Sequence, residues 1–194
     1  DIEPVLKDPL HDLSPAKKRE LYKLLNEARK NHADMIVFPE YYLPIHWIEE
    51  LFTFSRKNSI AIVCGLRYIT NKSQAYNYMT VLQPFKPNRF RYALPLFREK
   101  NHYAPAEVVA LAENQFECTD PSHPSIHLID WNGIEYSDLM CFELTNIEYR
   151  YVLRNKIDVL IVPELNKDTL YFSNIVESAS RDLHCFIVQA NTSK

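Results

Sequence analysis

Short apolar runs alternate with longer amphipathic stretches along the chain, the pattern of strands interleaved with helices. Ser14-Pro15 before AKKRELYKLLNEARKNHA predicts an N-cap and an N1 proline opening a helix, with Leu21, Leu24, Leu25 and Ala28 on its sheet-facing side. The run Met35-Ile36-Val37-Phe38, β-branched at its centre and followed by Pro39, predicts a buried strand ending at Glu40. Pro44 opens a second helical pattern, IHWIEELFTFSRKN, followed by a strand from Ile60 to Cys64 that stops at Gly65. Tyr76 to Phe85 and Phe90 to Phe97 are aromatic and β-prone, and predict an antiparallel hairpin turning at Lys86 to Asn88. ENQFECTDPSHP, from residue 113 to 124, reads as a polar loop. IHLID and IEYSDLMC flank Asn132-Gly133, a strong hairpin signal that delivers Cys141 at its end. A helix over Asn146 to Lys156, a strand over Ile157 to Val162 before Pro163, a helix over Asp168 to Asp182 and a strand over Cys185 to Ala190 follow.

No repeat, linker or charge block interrupts this order, so residues 1–194 read as one α/β domain, a mixed sheet with helices outside. The chain opens on a loop and helix and stops straight after a strand at NTSK, as a fragment of a longer domain would.

Composition removes several function classes. A net charge of -3 leaves no cation excess to neutralise a phosphate backbone, so direct nucleic-acid binding is not expected. Only Gly65 and Gly133 occur where average usage of about 7% would give roughly fourteen glycines, and they lie too far apart to build a nucleotide-binding loop. Cys64, Cys118, Cys141 and Cys185 have neither CxxC nor zinc-ligand spacing, so reduced thiols and no metal are expected. No apolar run reaches the roughly 18 residues of a membrane span and no signal peptide opens the chain, which points to a cytoplasmic protein.

Chemistry-bearing residues gather at predicted strand ends, where ligand sites of such sheets form: Glu40 after MIVFP, Lys100 just past the strand to Phe97, and Cys141 after IEYSDLM. A thiol, a carboxylate able to take its proton and a cation able to hold an oxyanion suffice for acyl transfer without a metal or cofactor. Tyr41, Tyr42, His46, Trp47, Tyr103 and Asn166 are candidates for a partly polar, aromatic pocket, with Glu143 and Glu164 near its mouth. His102 reads as a packed, hydrogen-bonded histidine steadying the loop after Lys100.

ADMIVFPE (33–40), FREKNHYAPAE (97–107) and DLMCFE (138–143) together resemble the motifs of the carbon-nitrogen hydrolase, or nitrilase, superfamily, which carries Glu, Lys and Cys in that chain order. IDVLIVPE and FIVQAN also look like strands of that family, so the resemblance covers nearly the whole chain. It implies a four-layer αββα sandwich with mixed sheets, incomplete at both ends. It also implies Cys141 as nucleophile, Glu40 as general base, Lys100 as oxyanion donor, Glu107 as a second glutamate and the Phe142 N–H as backbone oxyanion donor. Tyr41, Trp47, Tyr103, Glu143 and Asn166 are then expected to line the substrate site. Where the family usually carries glycine, this chain has Tyr136-Ser137 before the cysteine and Ala106 before the second glutamate.

The implied activity is cleavage of an amide or nitrile in a small molecule through a thioester. The alternative is an accessory, regulatory or assembly domain fused into a larger protein, such as a synthetase or a bacterial defence reverse transcriptase. The helix over Asn146 to Lys156 carries more apolar and aromatic surface than one core stripe uses, so a homo-oligomer with Tyr149 or Tyr151 at the contact is expected.

Overall fold

A computed structural model describes Leu6 and residues 13–86, 90–121 and 123–192. Pro87 and Asn88 of the expected turn, Ser122 of the polar loop, nearly all of the opening segment and the last two residues of NTSK lie outside them.

Two four-stranded sheets face one another with helices on their outer sides. The first has the order β1-β2-β5-β6, made of β1 (Met35–Leu43), β2 (Ala61–Leu66), β5 (Tyr78–Phe85) and β6 (Tyr92–Glu99). The second has the order β11-β10-β9-β8, made of β11 (Phe186–Asn191), β10 (Val159–Glu164), β9 (Ile134–Asp138) and β8 (Leu128–Trp131). Both are mixed: β1 runs parallel to β2, and β9, β10 and β11 are mutually parallel in sequence order, while the β5–β6 and β8–β9 pairs are antiparallel. A small third sheet joins β3 (Ile69–Asn71), β4 (Gln74–Tyr76) and β7 (Glu117–Cys118).

Period-2 alternation assigns the two faces of the first sheet. Val63, Met79 and Val81 meet Tyr136, Leu160 and Val162 between the sheets. Ile62, Cys64 and Leu82 turn outward onto Leu21 and Leu25 of α1 (Pro15–Lys30) and Leu51 of α2 (Ile48–Asn58). The second sheet is covered by α4 (Ile147–Leu153) and α5 (Thr169–Leu183), whose Leu153, Phe172, Ala179 and Leu183 complete the inner cluster. The αββα order is therefore present.

Several elements form as their local chemistry dictates. The Ser14 hydroxyl caps α1 by accepting from Lys17 N–H at 3.3 Å, and Asp168 caps α5 by accepting from Tyr171 N–H at 3.0 Å. Asn132 and Gly133 both have positive φ, 56° and 79°, as a two-residue hairpin turn requires. Leu24, expected on the sheet-facing side of α1, is 45% exposed, because Leu21 and Leu25 fill that contact.

Two strands run further than expected, past Glu40 and past Val162, and each contains a proline. β1 runs through Pro39 to Leu43, which an edge strand tolerates because its outer backbone needs no ladder donor. β10 runs through Pro163 to Glu164, beyond the last residue at which it pairs with β9, so the missing N–H leaves no gap. The helix α3 (Pro105–Glu113) was not foreseen, although Pro105 at its first position and Glu107 at its third mark a helix start. β7 lies in the stretch expected to be loop.

One irregularity of β1 sets up the site. Phe38 pairs with Cys64 and Leu43 with Leu66, so Pro39, Glu40, Tyr41 and Tyr42 stand opposite the single residue Gly65. Tyr41 takes φ of 58° within this bulge, and the Glu40 backbone sits so close that a Cβ on Gly65 would lie 2.9 Å from Glu40 Cα. Gly65→Ala is expected to cost about 1–3 kcal/mol in urea unfolding by forcing β1 away, and to displace Glu40; unchanged stability would show that the bulge yields freely.

Candidate functional site

Glu40 reaches the interior from the bulge of β1, and its carboxylate is buried. β6 ends at Glu99, and strand alternation turns Arg98 and Lys100 to the same inner side, both almost fully buried. Glu107 comes from the first turn of α3, where its Oε2 accepts from the Ala104 N–H at 3.3 Å in half of a capping box. Cys141 follows β9 at the start of a short 3₁₀ turn (Cys141–Thr145) with φ of 48°, a left-handed conformation that turns the thiol out of the strand line.

Lys100 Nζ bridges the two glutamates, 2.8 Å from Glu40 Oε1 and 2.6 Å from Glu107 Oε2, and lies over the Tyr103 ring at 5.5 Å from its centre. Asn77 Nδ2 donates to Glu40 Oε1 at 2.9 Å, and the hydroxyls of Tyr41 and Tyr68 both reach Glu107 Oε1. Glu40, Glu107, Cys141 and Phe142 share one cavity of about 510 Å³, whose walls include Ala106, Leu165 and Phe172.

Burial and the neighbouring Glu107 charge push the Glu40 carboxyl up, against the pull of Lys100 and the hydrogen bond from Asn77. Burial also presses on Glu107, but the Lys100 ammonium and the hydrogen bonds from Lys100, Tyr41 and Tyr68 outweigh it and hold this carboxyl down. The Cys141 thiol is pushed up by burial and by Glu40, with Lys100 and the Leu165 N–H opposing. Burial thus favours the neutral thiol at Cys141, while Glu40 and Glu107 favour the charged ammonium at Lys100. Among the described residues, no group of three or more His, Cys, Asp or Glu is placed to hold a metal ion, and no helix is long and apolar enough to cross a membrane.

No protein-family model matches the chain, and no curated protein matches its sequence. Solved structures do match. An amidase from Nesterenkonia sp. aligns at 17% identity with a TM-score of 0.67, over 92% of this chain and 71% of that one. A cysteine-to-serine mutant of the Nesterenkonia AN1 amidase, described as from the nitrilase superfamily, aligns at 15% identity and 0.66 over 90% and 71%. A cysteine-to-alanine mutant of the same enzyme in complex with butyramide gives 15% and 0.65 over 90% and 70%. This chain has the nitrilase-superfamily fold. At such identities the likeness concerns the backbone; the chemistry rests on this chain's own residues.

Within this nitrilase fold, Glu40, Lys100 and Glu107 are drawn into one hydrogen-bonded group, and Tyr41, Phe142 and Asn166 line the cavity beside it. Three expectations for substrate contact need correction. Trp47 is 7% exposed and packs with Leu21, Leu25 and Phe38 in the outer core, because the 3₁₀ turn Ile45–Trp47 carries the chain away from the cavity. Tyr103 lies beneath Lys100, its hydroxyl bonded to Asn77 N–H and Thr119, and is absent from the cavity wall. Glu143 is fully buried under the 3₁₀ turn, where it accepts from Met140 N–H at 2.7 Å and Asn101 N–H at 2.6 Å and forms a two-pronged pair with Arg98 at 3.0 and 2.8 Å.

His102 is exposed and stacks its ring on Phe142, with centres 5.5 Å apart. Glu164 is buried at the end of β10, bonded to Gln189, with its carboxyl raised to about 7 by burial. Asn77, Tyr68 and Arg98 escaped sequence reasoning. Arg98 could have been found, since it stands two residues before Lys100 on the same strand face.

Arg98 also donates from Nε to Asp138 Oδ1 at 2.7 Å, while His127 Nδ1 meets Asp138 Oδ2 at 2.7 Å. Replacing a buried arginine leaves two buried carboxylates without their cation, so Arg98→Leu is expected to cost about 3–5 kcal/mol in urea unfolding at neutral pH. Burial presses the Asp138 carboxyl up, yet Arg98 and His127 hold it below the usual range. A depressed carboxyl contributes stability above its unfolded pKa, about 4, that disappears as pH falls through the folded value, so the gap between the proteins should narrow in acid. A gap that stays constant or widens there would show that the pair contributes nothing.

Proposed function

We propose that the protein is an amide-cleaving carbon-nitrogen hydrolase of the nitrilase superfamily. The observation that carries this reading is the shared placement of a buried thiol and a buried carboxylate on one cavity, with a buried lysine 2.8 Å behind that carboxylate. Glu40 takes the thiol proton as Cys141 Sγ attacks the carbonyl carbon of the amide. The oxygen, now an anion, is held by the Lys100 ammonium and the Phe142 N–H. The intermediate collapses as the C–N bond breaks, and Glu40 returns the proton to the departing ammonia or amine. Water then attacks the thioester with Glu40 again accepting a proton, and the acid leaves as Cys141 recovers its hydrogen. Glu107, held ionised by Lys100 and two tyrosines, keeps the lysine charged through the cycle.

Pairing the thiol with a base is needed because burial holds Cys141 protonated at neutral pH. The acyl side of the cavity, with Ala106, Leu165 and Phe172 on its walls, favours an amide whose acid part is apolar. The complex of butyramide with a Nesterenkonia amidase mutant is consistent with such a substrate.

Two outcomes are expected. Cys141→Ala should abolish amide hydrolysis and remove the Cys141 peptide from the iodoacetamide-labelled set by mass spectrometry, leaving Cys118 labelled; hydrolysis surviving in this variant would overturn the mechanism. In the parent, an acid limb above the ordinary carboxylate range near 4.5 is expected for Cys141 labelling, since Glu40 must be ionised.

The assembly reading rests on α4, where Tyr151 and Ile147 are 78% and 68% exposed. Tyr149 packs partly into the inner core, which leaves Tyr151 as the contact residue. Sedimentation at micromolar concentration should show a dimer or larger species that Tyr151→Glu dissociates; a monomer in both would refute it.

A further inference from the structure

Both carboxylates of the proposed reaction, and the backbone of its lysine, are hydrogen-bonded to one neutral residue that the reaction does not consume. Asn77 lies between β4 and β5 and is fully buried. Its Nδ2 stands 2.9 Å from Glu40 Oε1, 3.0 Å from the Tyr41 hydroxyl and 3.3 Å from Glu107 Oε1. Its backbone carbonyl accepts the Lys100 N–H at 2.7 Å, and its N–H donates at 3.2 Å to the hydroxyl of Tyr103, whose ring lies against the Lys100 ammonium.

Charge decides which way this amide faces. Turned over, it would set Oδ1 against two carboxylates and leave Nδ2 without an acceptor. As it stands, Oδ1 is buried with no partner among the described residues, a cost that the donor contacts must offset. The position demands a side chain that donates and carries no charge: aspartate would add a third carboxylate, and an apolar residue would leave both glutamates short of a donor.

Among the described residues only Lys100 and Asn77 donate to Glu40, and both use Oε1. We propose that Asn77 is a positioning residue for proton transfer between Cys141 and Glu40: holding Oε1 against Lys100, it leaves Oε2 as the oxygen that receives the thiol proton. This rests on the amidase reading above. The charged and titratable groups around Glu40 are Lys100, Glu107 on α3, Tyr41 beside it, Tyr68, Cys141 and Glu164 on β10.

The test uses E164Q as parent, so that the carboxyl near 7 is absent. Asn77→Ala on that background should lower kcat for butyramide about 100-fold with KM within about twofold, as loss of a transition-state arrangement does. The acid limb of Cys141 labelling by iodoacetamide should also move up by about one pH unit, because a donor to ionised Glu40 is gone. Asn77→Asp keeps the side-chain volume and should move the limb further the same way, so it decides the matter if the alanine variant fails to fold. An unmoved limb in both variants overturns the proposal even if kcat falls, as does a kcat within about threefold of the parent. A parent with no acid limb would refute Glu40 as base and the proposal with it, whereas a parent limb that both variants retain refutes the role of Asn77 alone.

Discussion

Two cations on one face of one strand end, Arg98 and Lys100, have to be neutralised between two sheets, and the rest of the site answers to that constraint. Water is excluded there, so each cation needs carboxylates and hydrogen bonds in fixed geometry. Asp138 and Glu143 meet Arg98, while Glu40 and Glu107 meet Lys100. Partners for the first cation come from the second sheet and the turn beyond it; partners for the second come from β1 and α3. Between them they tie the edge strand β1, the end of β6, α3 and the Cys141 turn into one rigid body.

The Arg98 pair explains how the strained turn at Cys141 persists. A non-glycine residue in the left-handed region costs of order 1 kcal/mol or more, and Cys141 occupies it with φ of 48°. Glu143 opposes that cost by accepting the Met140 N–H with the same carboxylate that binds Arg98, fixing the residues on either side of the thiol. Asn101, next to Lys100, gives its N–H to the other oxygen of Glu143. The strand end bearing the lysine and the turn bearing the cysteine are thus pinned to one side chain, which sets their separation without a direct bond between them.

Much of this was legible where the signal is local. Ser14-Pro15, Asn132-Gly133 and the alternating apolar runs each report on backbone conformation within a few residues, and they placed the elements that hold Glu40, Lys100 and Cys141. The failures share a cause. Glu143, Tyr103 and Trp47 were assigned to the substrate by nearness in sequence to a motif residue, but direction within a strand or turn decides which way a side chain goes. The stretch REKN reads by composition as a solvated turn, although its period of two buries Arg98 and Lys100 and turns Glu99 away. Pro163 reads locally as a stop, and the strand end expected at Glu40 falls short of Leu43, because local sequence carries no sheet order, which places both prolines where no donor is needed. Asn77 has no local signal at all: its partners lie 23 to 37 residues away along the chain.

The two charge groups divide labour in a way that pairwise energies alone would hide. Arg98 sits in a closed set: its nitrogens meet two carboxylates, and Glu143 is further filled by two backbone N–H groups, so no proton has anywhere to go. Lys100 sits in an open one, because Glu40 lines a cavity that also holds a thiol, with one oxygen bonded to Lys100 and Asn77 and the other without a donor among the described residues. Burial raises Glu40 while the same lysine lowers Glu107, so two chemically identical side chains on one cation are shifted in opposite directions. A carboxylate meant to exchange a proton must be the less stabilised of the two. The bulge opposite Gly65 makes Glu40 that less stabilised carboxylate, by setting it where, among the described residues, a single asparagine and a shared lysine are its donors.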